Sequence, residues 1–401
     1  MRVATLFSGI GAPEQAARRV YGDDFEIVFA CEFDKFARES YLANYNIDED
    51  HFHIDVNDLD ATRYRGKVDM LIGGSPCQSF SIAGLRKGTK DERGGLIYEY
   101  IRVVDECRPE VIVYENVKGI LSIDNGRTIK EFAQALRDIG YHCHYGVVNT
   151  KDYGVPQNRE RLFLVGFLCS ERYFRFNFPE KLPLKKKLAD VLEDDVDEKY
   201  FLSHKLIKTL FFTASGKDLQ FKPAKCANID SSAAAITARV HKMGRQDNYI
   251  EVVGILDTKG NDQIRRVYGT DGIAPAMQTC GGGNREPKIQ VRSATRHGHE
   301  EACIGDINSS MPTSNTRRGR VGGNVPQALD TQCGQERIRK LTPRECLRLQ
   351  DFPDDFKIVV SNTQAYKQAG NSMSVNVVEM IFQQIEKTKK PQKNNLLGFC
   401  E

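Results

Sequence analysis

Short apolar runs alternate with helical patterns between Met1 and Leu168, and no other feature limits the possible fold as strongly. Six apolar runs have the length and composition of buried strands: Arg2–Phe7, Glu26–Ala30, Val68–Ile72, Val111–Tyr114, Tyr145–Val148 and Leu162–Gly166. Helical patterns lie between several of them: Pro13–Val20, Gly95–Cys107 and Thr128–Ile139. Strands that alternate with helices are typical of a parallel sheet covered on both faces. The sequence therefore predicts an α/β fold with a doubly wound, mostly parallel sheet.

The composition changes after about residue 170, where Gly, Thr, Asn, Gln and Arg become frequent and apolar runs become short. This pattern predicts a second, smaller domain that is rich in loops and mainly β. Helical character returns at Arg339–Leu349, with Thr342 as the expected N-cap, and again at Gln364–Ile385. We therefore expect a first domain over 1–178, a second over 179–361, and a return of the chain to the first domain over 362–401.

A glycine turn, Ser8–Ala12, follows the first predicted strand and precedes a helix. Such turns expose backbone N–H groups to nucleotide-like ligands. Glu32 follows Gly9 at the spacing at which an acid in such a fold hydrogen-bonds ribose hydroxyls. The third glycine of a dinucleotide fingerprint is absent, however, because Glu14 occupies its place, where an acid would repel a pyrophosphate. The pattern therefore favours an adenosine-type ligand without a pyrophosphate over a dinucleotide.

A thiol and an acid follow two of the predicted strands. Cys77 lies in the segment Gly73–Ser81, directly after one strand, and Glu115 follows another. Ligands of open α/β sheets bind at the carboxyl ends of the strands. A thiol and a carboxyl at neighbouring strand ends form a nucleophile with an acid partner. From these residues alone, an inert buried cysteine remains an alternative.

Charge, cysteine spacing and hydropathy narrow the class of protein. The formal net charge of +3 permits nucleic acid as a partner without requiring it. The eleven cysteines include no Cys-x-x-Cys pair, which argues against a zinc site and favours a reduced compartment. The sequence has no basic, cleavable leader and no apolar run long enough to span a bilayer, so we expect neither secretion nor a membrane span.

Three His-x-His pairs raise the question of a metal: His51/His53, His142/His144 and His297/His299. On a strand, this spacing places both rings on one face. No acid or thiol set completes a metal site near any pair, so we expect no metal.

Five motifs occur in a fixed order: Phe7-Ser8-Gly9-Ile10-Gly11, Pro76-Cys77-Gln78-Ser79-Phe80-Ser81, Glu115-Asn116-Val117, Gln157-Asn158-Arg159-Glu160-Arg161 and Gln368-Ala369-Gly370-Asn371-Ser372. In this order they resemble the motifs of the DNA (cytosine-5) methyltransferase family. The resemblance covers about residues 1–168 and 338–385 and is patchy from 170 to 335. It implies the sheet of S-adenosylmethionine-dependent methyltransferases, with a target-recognition domain over 179–361.

The resemblance also implies a catalytic set. Carbon 5 of cytosine is a poor nucleophile until a thiolate adds to carbon 6, and Cys77 matches that thiolate. Glu115 matches the acid that hydrogen-bonds ring nitrogen 3 and the exocyclic amine, which requires a raised pKa in a desolvated site. Arg161 matches the arginine at the carbonyl oxygen, and Arg159 matches one that supports the site. A surface salt bridge is the alternative for these arginines.

The implied methyl donor is S-adenosylmethionine. By the family pattern, Phe7, Gly9 and Gly11 contact its amino-acid end, Glu32 its ribose and Asp55 its adenine amine. The remaining residues that match donor-contact positions are Phe33, Val56, Pro76, Leu96, Asn371 and Ser372.

The implied substrate is duplex DNA with one cytosine flipped out of the stack. Residues that match DNA contacts are Gln78, Ser81, Gln263, Arg266, Gln278 and Gly282. On this match Arg266 reads a guanine edge in the major groove and Gln263 fills the gap left by the flipped base. A phosphate contact is the alternative for Arg266.

We therefore expect a monomeric DNA cytosine methyltransferase that makes 5-methylcytosine in a short duplex sequence. It is expected in the bacterial cytoplasm, at the nucleoid through DNA, or phage-encoded in a host, with or without a separate restriction endonuclease. Two alternatives remain: an RNA cytosine-5 methyltransferase, and a non-catalytic DNA-binding regulator that keeps the fold.

Overall fold

The computed structural model describes residues 1–76, 95–201, 252–255, 266–268, 274–275, 288–293 and 335–389. Backbone contacts divide the chain into two compact units. The first comprises 1–191, 273–285 and 343–401, and the second comprises 192–272 and 286–342. Segments 179–191, 273–285 and 343–361, which the sequence analysis placed in the second domain, group with the first unit by these contacts, and the predicted domain bounds stay a prediction.

Eight strands of the first unit occur before residue 168: β1 (Arg2–Leu6), β2 (Glu26–Cys31), β3 (Phe52–His53), β4 (Met70–Gly73), β5 (Val111–Val117), β6 (His142–Asn149), β7 (Gln157–Asn158) and β8 (Glu160–Phe167). Seven of them form one sheet in the order β3-β2-β1-β4-β5-β8-β6. The pairs from β3 to β5 are parallel, whereas β8 runs antiparallel to both β5 and β6. The predicted doubly wound, mostly parallel sheet is confirmed.

The helices among the described residues are α1 (Ala12–Tyr21), α2 (Lys35–Asn44), α3 (Leu96–Cys107), α4 (Arg127–Asp138), α5 (Ser170–Arg175), α6 (Pro343–Arg348), α7 (Asn362–Asn371) and α8 (Val375–Lys387). Their apolar sides cover the sheet; α3, for example, buries Ile97, Tyr100, Val103, Val104 and Cys107. The helix α8, the last among the described residues, packs against α1, the first helix of the chain. No helix of the described ranges is long and apolar enough to cross a membrane.

Two helix predictions near the C-terminus were wrong in part. Arg339 lies in β13 (Gln335–Lys340), where it pairs with Ile289, and the helix begins only at Pro343. Thr342, the predicted N-cap, directly precedes this helix, and its hydroxyl donates to the Glu193 carboxylate. The predicted glycine turn and helix over Gln364–Ile385 is two helices, α7 and α8, with Gly370 inside the first.

The described residues of the second unit contain β9 (Val252–Ile255), β10 (Arg266–Tyr268), β12 (Lys288–Ser293) and β13. These strands form a four-stranded sheet in the order β13-β12-β10-β9. The short strand β11 (Ala274–Pro275) belongs to the first unit, where it pairs in parallel with β7.

Glu14, which the sequence analysis placed where a dinucleotide's pyrophosphate would lie, instead points into the core of the first unit. Its carboxylate is fully buried and accepts hydrogen bonds from the Thr5 hydroxyl at 2.6 Å and the Tyr41 hydroxyl at 2.7 Å. The expectation that an acid here would meet a pyrophosphate is therefore wrong. Burial raises the pKa of Glu14 to about 6, and the two hydroxyl bonds only partly oppose this shift.

We predict that Glu14→Gln flattens the pH dependence of stability. Because the pKa of Glu14 is raised in the folded state, its stabilising contribution is full below about pH 4.5 and is lost as pH rises through about 6. Urea denaturation should show the wild type losing about 2 kcal/mol across this window relative to the variant. Glu39→Gln, at an exposed position, is the control. Parallel curves for wild type and Glu14→Gln would contradict the assignment.

Candidate active site

A cavity of about 520 Å³ opens at the carboxyl ends of β1, β2, β4 and β5. All of the predicted donor-binding residues except Gly11 line it: Phe7, Gly9, Glu32, Phe33, Asp55, Val56, Pro76, Leu96, Asn371 and Ser372. Three of the predicted catalytic residues line the same cavity: Glu115, Arg159 and Arg161. The fold thus brings together side chains from the beginning, middle and end of the sequence.

Gly11 lies at the start of α1 and packs against Tyr45. Its φ of 84° is in the left-handed region, and a Cβ there would overlap the tyrosine ring. The Tyr45 hydroxyl donates to the Gly11 carbonyl at 2.6 Å. The described contacts of Gly11 therefore close the turn, and its predicted contact with a donor stays a prediction.

Glu32 joins the ends of β1 and β2 at the cavity. One carboxylate oxygen accepts from the Gly9 backbone N–H at 2.8 Å, and the other accepts from the Asp34 N–H at 2.8 Å. Burial raises the pKa of Glu32, although both backbone bonds favour the charged form. The two backbone bonds hold the carboxylate in one orientation at the cavity wall.

The remaining wall of the cavity carries further polar groups. Asp55 Oδ1 accepts from the backbone and side-chain nitrogens of Asn57, at 2.9 and 2.7 Å. Asp34 and Lys367 form an ion pair of 2.6 Å, and both line the cavity. The sequence analysis missed Asp34 and Lys367 as site residues, although each lies close to a residue that it had identified.

Glu115 and Arg161 meet because β5 and β8 are paired neighbours. Val117 lies opposite Arg161 in this pairing, and Glu115 precedes Val117 on the same face of β5. The Glu115 Oε1 atom lies 3.2 Å from Arg161 Nε. Burial raises the pKa of Glu115, and the charges of Arg161 and Arg159 oppose the shift without cancelling it. The site therefore favours a protonated carboxyl more than water does.

Arg159 is buried beneath the cavity and holds the C-terminal segment. Its guanidinium donates to the carbonyl oxygens of Gly370, at 3.2 Å, and Ser372, at 2.7 Å. Burial and the nearby Arg161 lower the pKa of Arg159 to about 9, so the group keeps its charge at neutral pH. The residues that it holds, Gly370 to Ser372, line the cavity.

Gly74 allows the end of β4 to lie against Glu115. A Cβ at this position would lie 2.6 Å from the Glu115 carbonyl oxygen and 3.2 Å from its side-chain Oε2. Any side chain at residue 74 would therefore push the two strand ends apart. Ser75 and Pro76 follow at the cavity wall, and Cys77 is the next residue in the chain.

Several predicted residues lie outside the described residues: Cys77, Gln78, Ser81, Gln263, Gln278 and Gly282. Arg266 lies in β10. The roles of these residues stay predictions.

The histidine pairs that the structure describes are in contact with tyrosines. His53 Nε2 lies 2.9 Å from the Tyr64 hydroxyl, and His144 stacks on Tyr173 with ring centroids 4.1 Å apart. His297 and His299 lie outside the described residues. In the part of the chain that is described, no group of three metal-ligating side chains occurs.

The chain matches the family of C-5 cytosine-specific DNA methylases over residues 1–387, and it belongs to that family. It is a DNA (cytosine-5) methyltransferase. An orphan methyltransferase, M.Rho11sI of Bacillus phage rho11s, is 33% identical in an alignment that covers 96% of this chain and 97% of that protein. The type II methyltransferase M.Bsp6I of a Bacillus species is 34% identical over 394 residues, 97% of this chain and 99% of that protein. The solved structure of the S. pombe Dnmt2 methyltransferase shares the fold, with a TM-score of 0.60 at 18% identity over 96% of this chain and 98% of that one.

We predict that Arg159→Lys destabilises the first unit by about 3 kcal/mol, because a lysine cannot reach both carbonyl oxygens and leaves them buried without donors. Arg161→Lys is the matched control, since the Arg161 side chain is more exposed and, among the contacts described, donates only to its neighbour's carbonyl and forms an ion pair with Glu115. Its loss in urea denaturation should be a third or less of that of Arg159→Lys. Equal losses would show that the two carbonyl bonds do not hold the C-terminal segment.

Proposed function

We propose that the chain transfers a methyl group from S-adenosylmethionine to carbon 5 of a cytosine flipped out of duplex DNA. The observation that carries this proposal is the single cavity that contains both the predicted donor-binding residues and the buried Glu115–Arg161 pair. Its volume of about 520 Å³ lies within the ordinary range of small-molecule sites. The methyl donor and the target base would therefore be bound next to each other in one cavity.

The cavity wall has the polarity that an adenosine ligand needs. Glu32 offers a carboxylate for ribose hydroxyls, and Asp55 offers one for the adenine amine. Two apolar residues of the cavity wall are unusually exposed for their type: Phe33 is 73% exposed and Ile54 is 54% exposed. We assign one of these side chains to each face of the adenine ring, so that the bound ring would cover both side chains.

The catalytic set divides the work on the base. S-adenosylmethionine supplies, when bound, a methyl group on a positively charged sulfur. The Cys77 thiolate adds to carbon 6, while protonated Glu115 donates its proton to nitrogen 3 and Arg161 bonds the carbonyl oxygen. After carbon 5 has taken the methyl group, Glu115 recovers its proton from nitrogen 3. A water molecule then takes the proton from carbon 5, and the electrons of that C–H bond form the ring double bond as the thiolate leaves carbon 6.

The raised pKa of Glu115 supports its role as a donor. A carboxyl of ordinary pKa is ionised at neutral pH and cannot donate to nitrogen 3. Burial favours its neutral form, and Arg161 moderates the effect so that the proton can be returned. The same residue can therefore act first as an acid and then as a base.

Duplex DNA is the proposed substrate, and any restriction endonuclease would act as a separate protein rather than as a subunit. Relatives named both orphan and type II methyltransferases support a solitary role or a role in restriction and modification equally. They belong to phages and bacteria, which supports action in a bacterial cytoplasm. The DNA contacts assigned to Gln78, Ser81, Gln263, Arg266, Gln278 and Gly282 remain part of this proposal.

Phe33→Ala is expected to weaken S-adenosylmethionine binding about tenfold, because the loss of one stacking surface on adenine costs on the order of 1.4 kcal/mol. Isothermal titration gives the dissociation constant directly. Phe174→Ala is the matched control, since Phe174 is 79% exposed and lies outside the cavity lining. If both variants bound the donor as the wild type does, the placement of adenine at Phe33 would be wrong.

Bisulfite sequencing of DNA from a host that expresses the protein tests the reaction as a whole. The wild type should protect one cytosine of a fixed short sequence, and Cys77→Ala should protect none, because no thiolate can then activate carbon 5. A folded Cys77→Ala protein that still binds S-adenosylmethionine confirms that only the chemistry is lost. Methylation by this variant, or methylation of transfer RNA in place of duplex DNA by the wild type, would overturn the proposal.

A further inference from the structure

Tyr114 and Ser75 share a buried hydroxyl pair where β4 ends. Tyr114 Oη and Ser75 Oγ lie 2.7 Å apart, and both residues are almost fully buried. The Asn116 side-chain amide donates to the Ser75 carbonyl at 3.0 Å and to the Tyr114 hydroxyl at 3.0 Å. Side chains of β5 therefore hold Ser75 by both its hydroxyl and its main chain.

These contacts begin where backbone pairing stops. The last paired residue of β4 is Gly73, which lies opposite Tyr114. Ser75 lies beyond the strand, so no ladder hydrogen bond fixes its path. The direction in which the chain leaves the sheet is therefore set by the contacts of Ser75 with Tyr114 and Asn116. Cys77 is two positions further on.

The ring of Tyr114 is itself immobilised by the core. It packs against Tyr100 of α3 with ring centroids 5.0 Å apart and against Phe132 of α4 at 4.7 Å. A tyrosine that is fixed along its whole ring presents its hydroxyl at one point only. This rigidity gives the hydroxyl pair more control over Ser75 than an exposed hydrogen bond would have.

We propose that the Tyr114–Ser75 hydroxyl pair positions the nucleophile of the reaction, so that Tyr114 acts as a positioning residue through the main chain of Ser75. This inference rests on the proposed role of Cys77. Addition of a thiolate to carbon 6 requires a near-attack geometry, and small displacements of the reacting atom slow such steps strongly. A buried hydroxyl pair just upstream of the thiol limits the directions from which the sulfur can approach.

Tyr114→Phe tests the proposal by removing one oxygen atom while keeping the ring that fills the core. The single-turnover rate of methyl transfer to a duplex oligonucleotide should fall about tenfold. The dissociation constant for S-adenosylmethionine and the KM for DNA should stay within about twofold, because no side chain predicted to contact the donor or the DNA is replaced.

Tyr100→Phe is the matched control for lost stability. Tyr100 belongs to the same aromatic cluster and is fully buried, but its hydroxyl donates to the Val113 carbonyl at 3.1 Å. It should lose as much thermal stability as Tyr114→Phe and keep the wild-type rate. Equal rates for the two variants would overturn the inference, since the effect would then be general softening of the core.

A double-mutant cycle with Ser75→Ala makes the test specific to the pair. If the two hydroxyls act together, Tyr114→Phe combined with Ser75→Ala is no slower than the slower single variant. Losses that multiply would overturn the pairing. Cys77→Ala separates the two proposals: an inactive Cys77→Ala with equal rates for the two tyrosine variants refutes the positioning role alone, whereas an active Cys77→Ala refutes both.

Discussion

The close approach of β4 to β5 at Gly74 is the constraint on which the rest of the site depends. Glycine is required there because the Glu115 backbone occupies the space that any side chain would need. The approach brings Pro76 and Glu115 to the wall of one cavity, and it puts Ser75 within reach of Tyr114 and Asn116. A sheet with a wider spacing at this point would separate Ser75 and Pro76 from Glu115.

The pKa of Glu115 is determined more by burial than by the number of charged groups around it. Glu115 faces two arginines, which would hold the pKa of an exposed carboxyl below its usual range. Desolvation outweighs both and raises it. Arg159 meanwhile donates to two backbone carbonyls, and its charge persists at neutral pH. The site thus combines a carboxyl whose protonated form is favoured by burial with a fixed cation beside it.

The C-terminal segment completes a cavity that the chain from Met1 to Leu168 cannot close by itself. Arg159 bonds Gly370 and Ser372, the Asp34–Lys367 ion pair connects the β2 end with α7, and α8 packs on α1. All of these contacts join parts of the chain that are far apart in the sequence. Burial of Arg159 makes its two bonds stronger than the Asp34–Lys367 contact, because partly exposed ion pairs contribute little.

Local signals in the sequence determined the sheet, the glycine turn and the motif residues. Strand and helix patterns depend on the spacing of apolar side chains, so they could be predicted from neighbours in the chain. The sequence could not show that Glu14 points into the core, that Gly11 meets Tyr45 or that Arg339 lies in a strand. In each case the deciding partner is distant in the sequence: Tyr41 for Glu14, Tyr45 for Gly11 and Ile289 for Arg339. The pairing of Tyr114 with Ser75 was likewise decided only by the tertiary structure, because strand order, not sequence distance, brings the two hydroxyls together.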